Sequence, residues 1–482
     1  MSLEHLNSWH SDWSKTRVLV FGLGVSGFAA ADTLVELGAE VRVLTDKADS
    51  EHLDILDVLG VKHSVGKSAQ ENLVEFNEFS PELFIVSPGI SPDNALVVAA
   101  VTSGIPVWTE VDLAWRLRDK WGRSSQWICI TGTNGKTTVT QMVEKMLQTA
   151  GIRAIACGNI GVPLLDAVRD PAEFEALVVE LSSFQLHYLT EIFPMVSAVL
   201  NVADDHLDWH GSFEAYAAAK GKVYNNTEIA CVYNSTDSVT QKLMQESRNT
   251  DSAQAVGFTL FTPAPNEIGW VEDILIDRAY VDSRDEALEL ATLTDLKKIP
   301  VISPHLLANT AAAAAIARGA GIQPDEIKKA LNEFSLDEHR IQLVLEKDGV
   351  RWVDDSKATN PHAASAALSS FDSVIWIVGG LLKGVDISTL VIKHAESLKA
   401  AIVIGVERTE VLSALANHAP DTQVFEITEQ SKIMDQVVAI AKSIAAPGDA
   451  VLLAPAAASM DQFVDYADRG NSFVTAVKKE VT

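Results

Sequence analysis

Residues Ile130 to Thr138 read ITGTNGKTT, set between the apolar run WICITGT and the helical stretch TTVTQMVEKMLQTAG. Gly132 and Gly135 free backbone N–H groups to face an anion, Lys136 reaches outer phosphates, and Thr137 or Thr138 offers a hydroxyl to Mg²⁺. This is the chemistry of a nucleoside triphosphate site, in a loop shorter than G-x-x-x-x-G-K-[ST], because Ile130 stands six positions before Lys136. A second glycine turn, GLGVSG at Gly22 to Gly27, follows TRVLVF and feeds a helix and then a strand, with the acidic Asp46 roughly twenty positions on. That is the fingerprint of a dinucleotide-binding unit. Two phosphate cradles exceed what a simple dehydrogenase needs and call for a reaction in which a triphosphate meets a second phosphate-bearing ligand.

Polar groups at the ends of apolar runs supply further chemistry. VVELSSFQL places Glu180 just after a strand, and LNVADDHLDWH places Asp204, Asp205 and His206 after another. In doubly wound sheets such strand ends converge on the ligand crevice, so with the phosphate loop they suggest a two-metal oxygen and nitrogen site. Taken singly, Glu180 reads equally well as a helix N-terminal charge, and His206 as a structural residue. In GSFEAYAAAKGKVY, Ser212 reads as an N-cap, and Lys220 sits among alanines, where composition favours a side chain that snorkels to solvent.

The elements that must carry these residues are short β-branched runs alternating with helical stretches, the pattern of parallel sheets covered by helices. The 482 residues sort into three sets of such runs. The first holds RVLVFG, EVRVLTD, LFIVSPG and IPVWTE. After the link RLRDKWGRSSQ, the second holds WICITGT, IRAIACG, ALVVELS, AVLNVAD and IACVYN. The third holds RWVDDS, VIWIVGG, AIVIGV, QVFEIT and AVLLAPA. Three α/β domains are expected, at 1–122, 123–336 and 337–482. Between about 236 and 300 the pattern weakens into an acidic stretch whose alternation suggests antiparallel hairpins at the rim of the middle domain.

A net charge of −27 excludes a nucleic-acid surface, since phosphate backbones are gripped by clustered Lys and Arg. Anionic ligands must instead be held by glycine loops, helix N-termini, metal ions and a few placed cations. Cys129, Cys157 and Cys231 show no metal or redox spacing and read as buried thiols in a reducing compartment. The opening MSLEHLNSWHSDW is polar and aromatic, and the Ala-rich Leu306 to Gly321 contains Asn309 and Arg318, so a cytoplasmic protein without a membrane span is expected.

The ordered set GTNGKTT, GNIG, ELSSFQL, NVADDHLD, AAAKGK, DEHR, DDSKATNP and GGLLKG resembles the Mur ligases, ATP-dependent amide-forming enzymes of peptidoglycan synthesis. GLGVSG, SPGI and LAPAAASMDQFVDYADRGNSF are similar to the branch that adds D-glutamate to UDP-N-acetylmuramoyl-L-alanine. The resemblance spans about residue 17 to 473. It implies an α/β fold of three domains: an N-terminal Rossmann-like domain for the UDP-sugar, a central P-loop-type mononucleotide-binding domain for ATP, and a C-terminal Rossmann-like domain for the amino acid.

It also implies roles. Gly132, Thr133, Asn134, Gly135, Lys136, Thr137 and Thr138 would hold the ATP phosphates, with Asn309 on the adenine side and Arg340 and Asp355 completing the nucleotide site. Thr137 and Glu180 would ligate one Mg²⁺ and His206 a second. Lys220 would be a carbamylated lysine, its CO₂ adduct an anionic oxygen ligand where an amine of pKa near 10.4 would be a repelling cation. Gly24, Val25, Ser26, Gly27, Ser87, Asn159 and His206 would meet the UDP-linked substrate, with Thr45 and Asp46 facing uridine. His339, Lys357, Thr359, Lys383, Ser459, Met460 and Tyr466 would meet D-glutamate, and Lys136, Glu180, His206, Lys220 and Lys357 would be catalytic. Leu306 after His305 stands where the family pattern expects Asn, and Tyr466 where it expects Phe.

APAAASMDQF reads as a strand end turning into a helix, which would let the N–H groups of Ser459 and Met460 receive a carboxylate at a helix N-terminus. The implied reaction activates the L-alanyl carboxylate as an acyl phosphate, with Lys136 and two Mg²⁺ offsetting anion–anion repulsion. Because ligands would come from all three domains, closure of the third is expected. A monomer is expected. A sister ligase, a folylpolyglutamate-type synthetase, a dehydrogenase using GLGVSG and a silent nucleotide-binding module are the alternatives.

Overall fold

The computed structural model describes residues 3–247 and 253–481. The first sheet contains β1 (Arg17–Phe21), β2 (Glu40–Thr45), β3 (Lys62–Val65), β4 (Leu83–Val86) and β5 (Val107–Trp108) in the order β3-β2-β1-β4-β5. All its pairings are parallel. Its central strand, RVLVF, is apolar at successive positions because helices cover both faces, and Val18, Leu19 and Val20 are fully buried. The switch in strand order between β1 and β4 puts the GLGVSG turn at the crevice where such sheets bind ligands.

The turn itself requires glycine at two places. Gly22 adopts φ +94°, a left-handed conformation that costs other residues strain. Gly27 is helical, but a Cβ there would lie 2.0 Å from the Gly22 carbonyl oxygen. The helix Val25–Glu36 can therefore approach the turn only without a side chain at this position. At Gly24, the N-cap, a Cβ would meet nothing within 4 Å.

The second sheet contains β6 (Gln126–Thr131), β7 (Ala154–Gly158), β8 (Ala176–Glu180), β9 (Val196–Val199), β10 (Ala230–Asn234), β11 (Gln254–Phe258), β12 (Glu267–Val271), β13 (Ile274–Asp277) and β14 (Leu288–Thr292). Their order is β14-β13-β12-β11-β10-β9-β6-β8-β7. Pairing is parallel from β7 through to β12, whereas β12, β13 and β14 form the antiparallel hairpins expected at the rim. The hairpins are tied to the helix Pro304–Gly319 by Arg318, whose Nε donates to buried Asp277 Oδ2 at 2.8 Å. Among the described residues no helix is long and apolar enough to cross a membrane.

The third sheet contains β15 (Gln342–Lys347), β16 (Val350–Asp354), β17 (Val374–Gly379), β18 (Leu398–Ile404), β19 (Gln423–Glu426) and β20 (Ala450–Leu453) in the order β15-β16-β20-β17-β18-β19. β15 is antiparallel to β16 and the rest are parallel. The chain divides into two compact units. The first runs to Asp295 and resumes over Asn309–Leu331, and the second comprises Leu296–Ala308 and Asn332 onward. Val301 accordingly sits in the apolar core of the third sheet. All three cysteines are buried, and burial pushes the Cys129 and Cys157 thiols up, away from reactive thiolate.

These contacts separate two glycines of one motif. Gly27→Ala is expected to destabilise the protein by about 2 kcal/mol or more, and Gly24→Ala by less than about 0.5 kcal/mol. Thermal unfolding of the two variants checks this; equal midpoints would contradict it.

Candidate active site

β6 delivers the chain into the loop Gly132–Gly135, and the helix Lys136–Thr149 starts at once behind it. Gly135 takes φ +84°, and a Cβ there would meet Asn309 Oδ1 at 2.4 Å, so Asn309 rests against the phosphate loop itself. The loop is braced from the exit of β9. Asn134 N–H donates to Asn201 Oδ1 at 2.9 Å, Asn201 Nδ2 returns a bond to Asn134 O at 3.0 Å, and Ala203 N–H donates to Thr133 Oγ1 at 3.0 Å. Thr133 Oγ1 also lies 3.0 Å from Tyr216 Oη. A rigid cradle of this kind presents N–H groups to an anion without reorganisation.

Lys136 and Lys220 converge on one oxygen. Lys136 Nζ donates to Gly132 O and Thr133 O at 2.9 Å each, and Lys220 Nζ donates to the same Gly132 O at 2.8 Å. Lys220 is only 2% exposed, with Nζ 4.7 Å from the Tyr216 ring centroid, so the snorkelling expected from composition does not occur. The helix Phe213–Gly221, capped by Ser212 as expected, turns Lys220 inward. Burial holds the Lys220 amine well below the usual lysine range, the Lys136 charge lowers it further, and Asp205 and Glu180 oppose the shift. The buried site therefore favours the unprotonated amine over the ammonium far more than water does.

Glu180 ends β8 and is buried. One carboxylate oxygen accepts from Thr137 Oγ1 at 2.9 Å and the other from Asn159 Nδ2 at 2.9 Å, while Asn159 N–H donates to Glu180 O at 2.9 Å. Three residues picked out from separate motifs thus form one network. His206 has φ +51°, an unusual backbone for a histidine, and packs on Phe184 with ring centroids 4.7 Å apart. Burial lowers its pKa, and Asp205 opposes. Among the described residues no group of three His, Cys, Asp or Glu side chains could hold a metal ion alone. Of Thr137, Glu180, His206 and Lys220, the Thr137 hydroxyl and the Glu180 carboxylate are the oxygen donors that a hard cation shared with phosphate oxygens could take.

In the first sheet's crevice, Ser87 Oγ donates to Gly22 O at 3.1 Å, fixing the second strand end to the glycine turn. Thr45 is buried, its Oγ1 donating to Lys47 O at 2.6 Å and accepting from Leu23 N–H at 3.3 Å, while Asp46 is exposed. Val25 and Ser26 follow Gly24 in the first turn of the helix. The SPGI loop is tied to the middle domain by Trp209 Nε1 donating to Gly89 O at 3.2 Å and Tyr188 Oη donating to Ile90 O at 2.7 Å.

In the second unit, β16 ends in Asp354 and is followed by Asp355, Ser356 and Lys357. His339 Nδ1 bonds Asp354 Oδ2 at 2.6 Å, and that bond raises the imidazole pKa. Burial raises the Asp355 carboxyl to about 7, against the Ile341 N–H it accepts at 3.1 Å and the nearby Arg340 charge. Lys357 Nζ lies 3.6 Å from the Tyr466 ring centroid, and Tyr466 lies 6.5 Å from the His339 ring. Thr359 N–H donates to Lys357 O at 2.8 Å. The GGLLKG loop pairs with the APAAAS loop through Leu381 and Ala458, which brings Lys383, with φ +54°, and Ser459 onto adjoining loops.

One expectation is corrected here. Ser459 and Met460 do not open a helix: after β20 the chain makes turns, and the next helix begins at Tyr466. Ser459 is buried and its carbonyl accepts from Gln462 and Phe463, whereas Met460 is exposed. Ala454, Ala456 and Ala457 of APAAASM fill the core and do not start a helix.

Several residues that shape the site are not among those the sequence points to. Arg469 is fully buried, with Nε and Nη2 on Ser356 Oγ and O at 3.0 and 2.9 Å and Nη1 on Ala457 O at 3.1 Å. It ties the β16 exit to the β20 exit. Asn201 carries the same signal as Glu180, a polar residue at a strand end, and Tyr216 carries none.

The description Mur ligase middle domain matches residues 130–317, Mur ligase, glutamate ligase domain matches 339–457, and Mur ligase MurD-like, N-terminal domain matches 16–109. The chain is similar to the UDP-N-acetylmuramoylalanine--D-glutamate ligase of Leifsonia xyli subsp. xyli, with 50% identity covering 99% of this chain and 95% of that protein. A like-named ligase of Streptomyces coelicolor is 45% identical over 97% of this chain and 99% of its own length. Among solved structures, the MurF ligase from Thermotoga maritima in complex with ADP matches with a TM-score of 0.55 at 17% identity, covering 96% of this chain and 94% of that one. A pseudomurein peptide ligase type C from Methanothermus fervidus matches with a TM-score of 0.54 at 18% identity, covering 96% and 100%. These two show a shared fold.

The Asp355 carboxyl makes a pH prediction. Its native pKa, raised to about 7, lies above its ordinary value of 3.8, so between the two the native state keeps a proton that the unfolded chain has released. Stability from this group is therefore lost as pH rises through that window. Asp355→Asn should flatten the fall in unfolding free energy between about pH 5 and about pH 7.5. Denaturant titrations across that range check it, and an unchanged slope would mean the native carboxyl is already ionised.

Proposed function

Because the chain belongs to the Mur ligase family, we propose that it joins D-glutamate to UDP-N-acetylmuramoyl-L-alanine with hydrolysis of ATP to ADP and phosphate, in peptidoglycan precursor synthesis, using the residues of the site above. The observation that carries the substrate assignment is the near full-length identity to D-glutamate-adding relatives. The geometry supports the chemistry, because a braced phosphate loop, a buried carboxylate and a buried lysine adjoin.

ATP is the phosphoryl donor. The Gly132–Thr138 loop holds its phosphates, and Lys136, resting on its own loop carbonyls, is within reach of them. Thr137 and Glu180 would hold one Mg²⁺ and His206 a second, and the metal supplies charge that offsets the phosphates. A substrate carboxylate oxygen attacks the γ-phosphorus, the bond to the ADP oxygen breaks, and an acyl phosphate results. The unprotonated amine of D-glutamate attacks the acyl carbon, and the tetrahedral intermediate collapses to the amide with loss of phosphate. The GLGVSG turn binds the UDP diphosphate, with Thr45 and Asp46 toward uridine and Ser87 and Asn159 along the substrate. Asn309, Arg340 and Asp355 belong to the nucleotide, and His339, Lys357, Thr359, Lys383, Ser459, Met460 and Tyr466 to D-glutamate.

Lys220 is read as the carbamylated residue. Burial favours its unprotonated amine, which can attack CO₂, forming an N–C bond and releasing a proton; that would turn a buried base into an anionic oxygen donor beside Glu180. The enzyme acts as a cytoplasmic monomer without nucleic-acid partners, in keeping with its net charge of −27.

With ATP, Mg²⁺ and UDP-N-acetylmuramoyl-L-alanine, phosphate release should depend on D-glutamate. Equal release with L-lysine, meso-diaminopimelate or L-glutamate would overturn the substrate assignment. Lys220→Met should keep the parent's unfolding midpoint, since it removes a buried amine, yet lose about a thousandfold or more in kcat. An active Lys220→Met enzyme would show that the lysine has no chemical role.

A further inference from the structure

Glu110 takes no part in the chemistry above, yet it is 2% exposed and opens the helix Glu110–Leu117 directly after β5. Burying a carboxylate costs several kcal/mol unless donors surround it. The donors come from two directions. Glu110 Oε1 accepts from Leu165 N–H at 3.2 Å, and the carboxylate also meets the Leu164 N–H and the Ser26 hydroxyl. Ser26 lies inside the GLGVSG turn, at the second residue of the helix Val25–Glu36. Leu164 and Leu165 begin the helix Leu164–Arg169, whose N-cap Pro163 offers no side-chain oxygen. Glu110 thus supplies from another element the acceptor that the local sequence lacks.

The helix Leu164–Arg169 follows the GNIG motif, and so its start is a few residues from Asn159, which is bonded to Glu180 on both its side chain and its backbone. One carboxylate therefore connects the glycine turn of the first domain to the segment that leads back to the phosphoryl-transfer network. The other end of that helix is also held, since Arg169 Nη1 donates to Asp32 Oδ2 at 2.6 Å and Thr33 Oγ1 at 3.1 Å on the helix Val25–Glu36. The two ends differ in what they touch. Arg169 grips the flank of that helix, whereas Glu110 touches the turn that cradles the ligand.

We propose that Glu110 is a positioning residue for the UDP-linked substrate: by joining the Ser26 hydroxyl to the N–H groups of Leu164 and Leu165, it sets the separation between the diphosphate turn and Asn159. The substrate spans that separation, with its diphosphate at one end and its reacting carboxylate at the other. This rests on the reading that GLGVSG holds the UDP diphosphate. A glutamine at 110 keeps the volume but removes the charge that strengthens the bonds from the two N–H groups, and its amide must donate to the Ser26 hydroxyl instead of accepting from it, so the connection loosens.

The test compares Glu110→Gln, Ser26→Ala, the double variant and Arg169→Gln in the full-length enzyme, reading the thermal midpoint, kcat, and KM for UDP-N-acetylmuramoyl-L-alanine and for ATP. Glu110→Gln is expected to raise KM for the UDP substrate about tenfold while KM for ATP stays within about twofold. The double variant should be no worse than the more impaired single variant, because both break one connection. Arg169→Gln should lower the midpoint and leave KM for the UDP substrate within about twofold. Should Glu110→Gln fail to fold, Glu110→Asp, which keeps the charge but shortens the reach between Ser26 and Leu165, must give the selective rise. An unchanged KM, multiplicative effects in the double variant, an equal rise in KM for ATP, or the same rise in Arg169→Gln would each overturn the proposal. Calorimetry with UDP alone separates the two levels. If the parent enzyme does not bind UDP, the diphosphate reading falls and this proposal with it; if it binds and Glu110→Gln keeps the parent KM, only the positioning role falls.

Discussion

Anions must be brought against anions by a chain whose own net charge is −27. That constraint explains why so little of the binding machinery is ordinary surface charge. A nucleoside triphosphate, a diphosphate-linked sugar acid and a dicarboxylate cannot be gathered by an overall positive field here, so attraction has to be local and pre-oriented. Backbone N–H groups at the two glycine turns suit that demand. They carry no counter-charge to desolvate and no side-chain entropy to lose, and their direction is set by the strand before and the helix after.

Local orientation requires that the cradles themselves do not give. The phosphate loop is held by Asn201 and Ala203 from the neighbouring strand exit and by the Tyr216 hydroxyl, and the diphosphate turn by Ser87 and by the close fit of Gly27 under Gly22. Arg469 does the same in the second unit, where a fully buried guanidinium joins the exits of β16 and β20. Such groups are satisfied entirely by protein atoms, so removing one leaves an uncompensated donor or acceptor inside.

What can be read in the sequence follows the same division. Motifs whose chemistry depends on neighbours in the chain are legible: ITGTNGKTT, GLGVSG, Glu180 at a strand end, Ser212 as a cap, and the rim hairpins from their alternation. Features fixed by packing are not. The edge strand β3, KHSV, has no apolar run, and the edge strand β15 leaves even its Leu343, Val344 and Leu345 only partly buried. APAAASM looks like a helix start because alanine favours helices, but its alanines go into core packing and the helix waits until Tyr466. Lys220 looks solvated because nothing in AAAKGK says which way the helix faces.

The direction in which Lys220 faces decides its chemistry. A lysine in water is a cation and would add to Lys136, which already donates to the Gly132 oxygen. Two ammonium groups on one carbonyl repel, and burial penalises the second charge, so the arrangement favours an unprotonated Lys220. A neutral amine has a lone pair. It can take up CO₂ and become an oxygen anion, reversing the sign of the charge at that position without moving the backbone. The same burial that makes the lysine a poor cation would make it a good precursor for an anionic ligand near Glu180, where the described residues assemble no group of three His, Cys, Asp or Glu side chains to hold a metal ion.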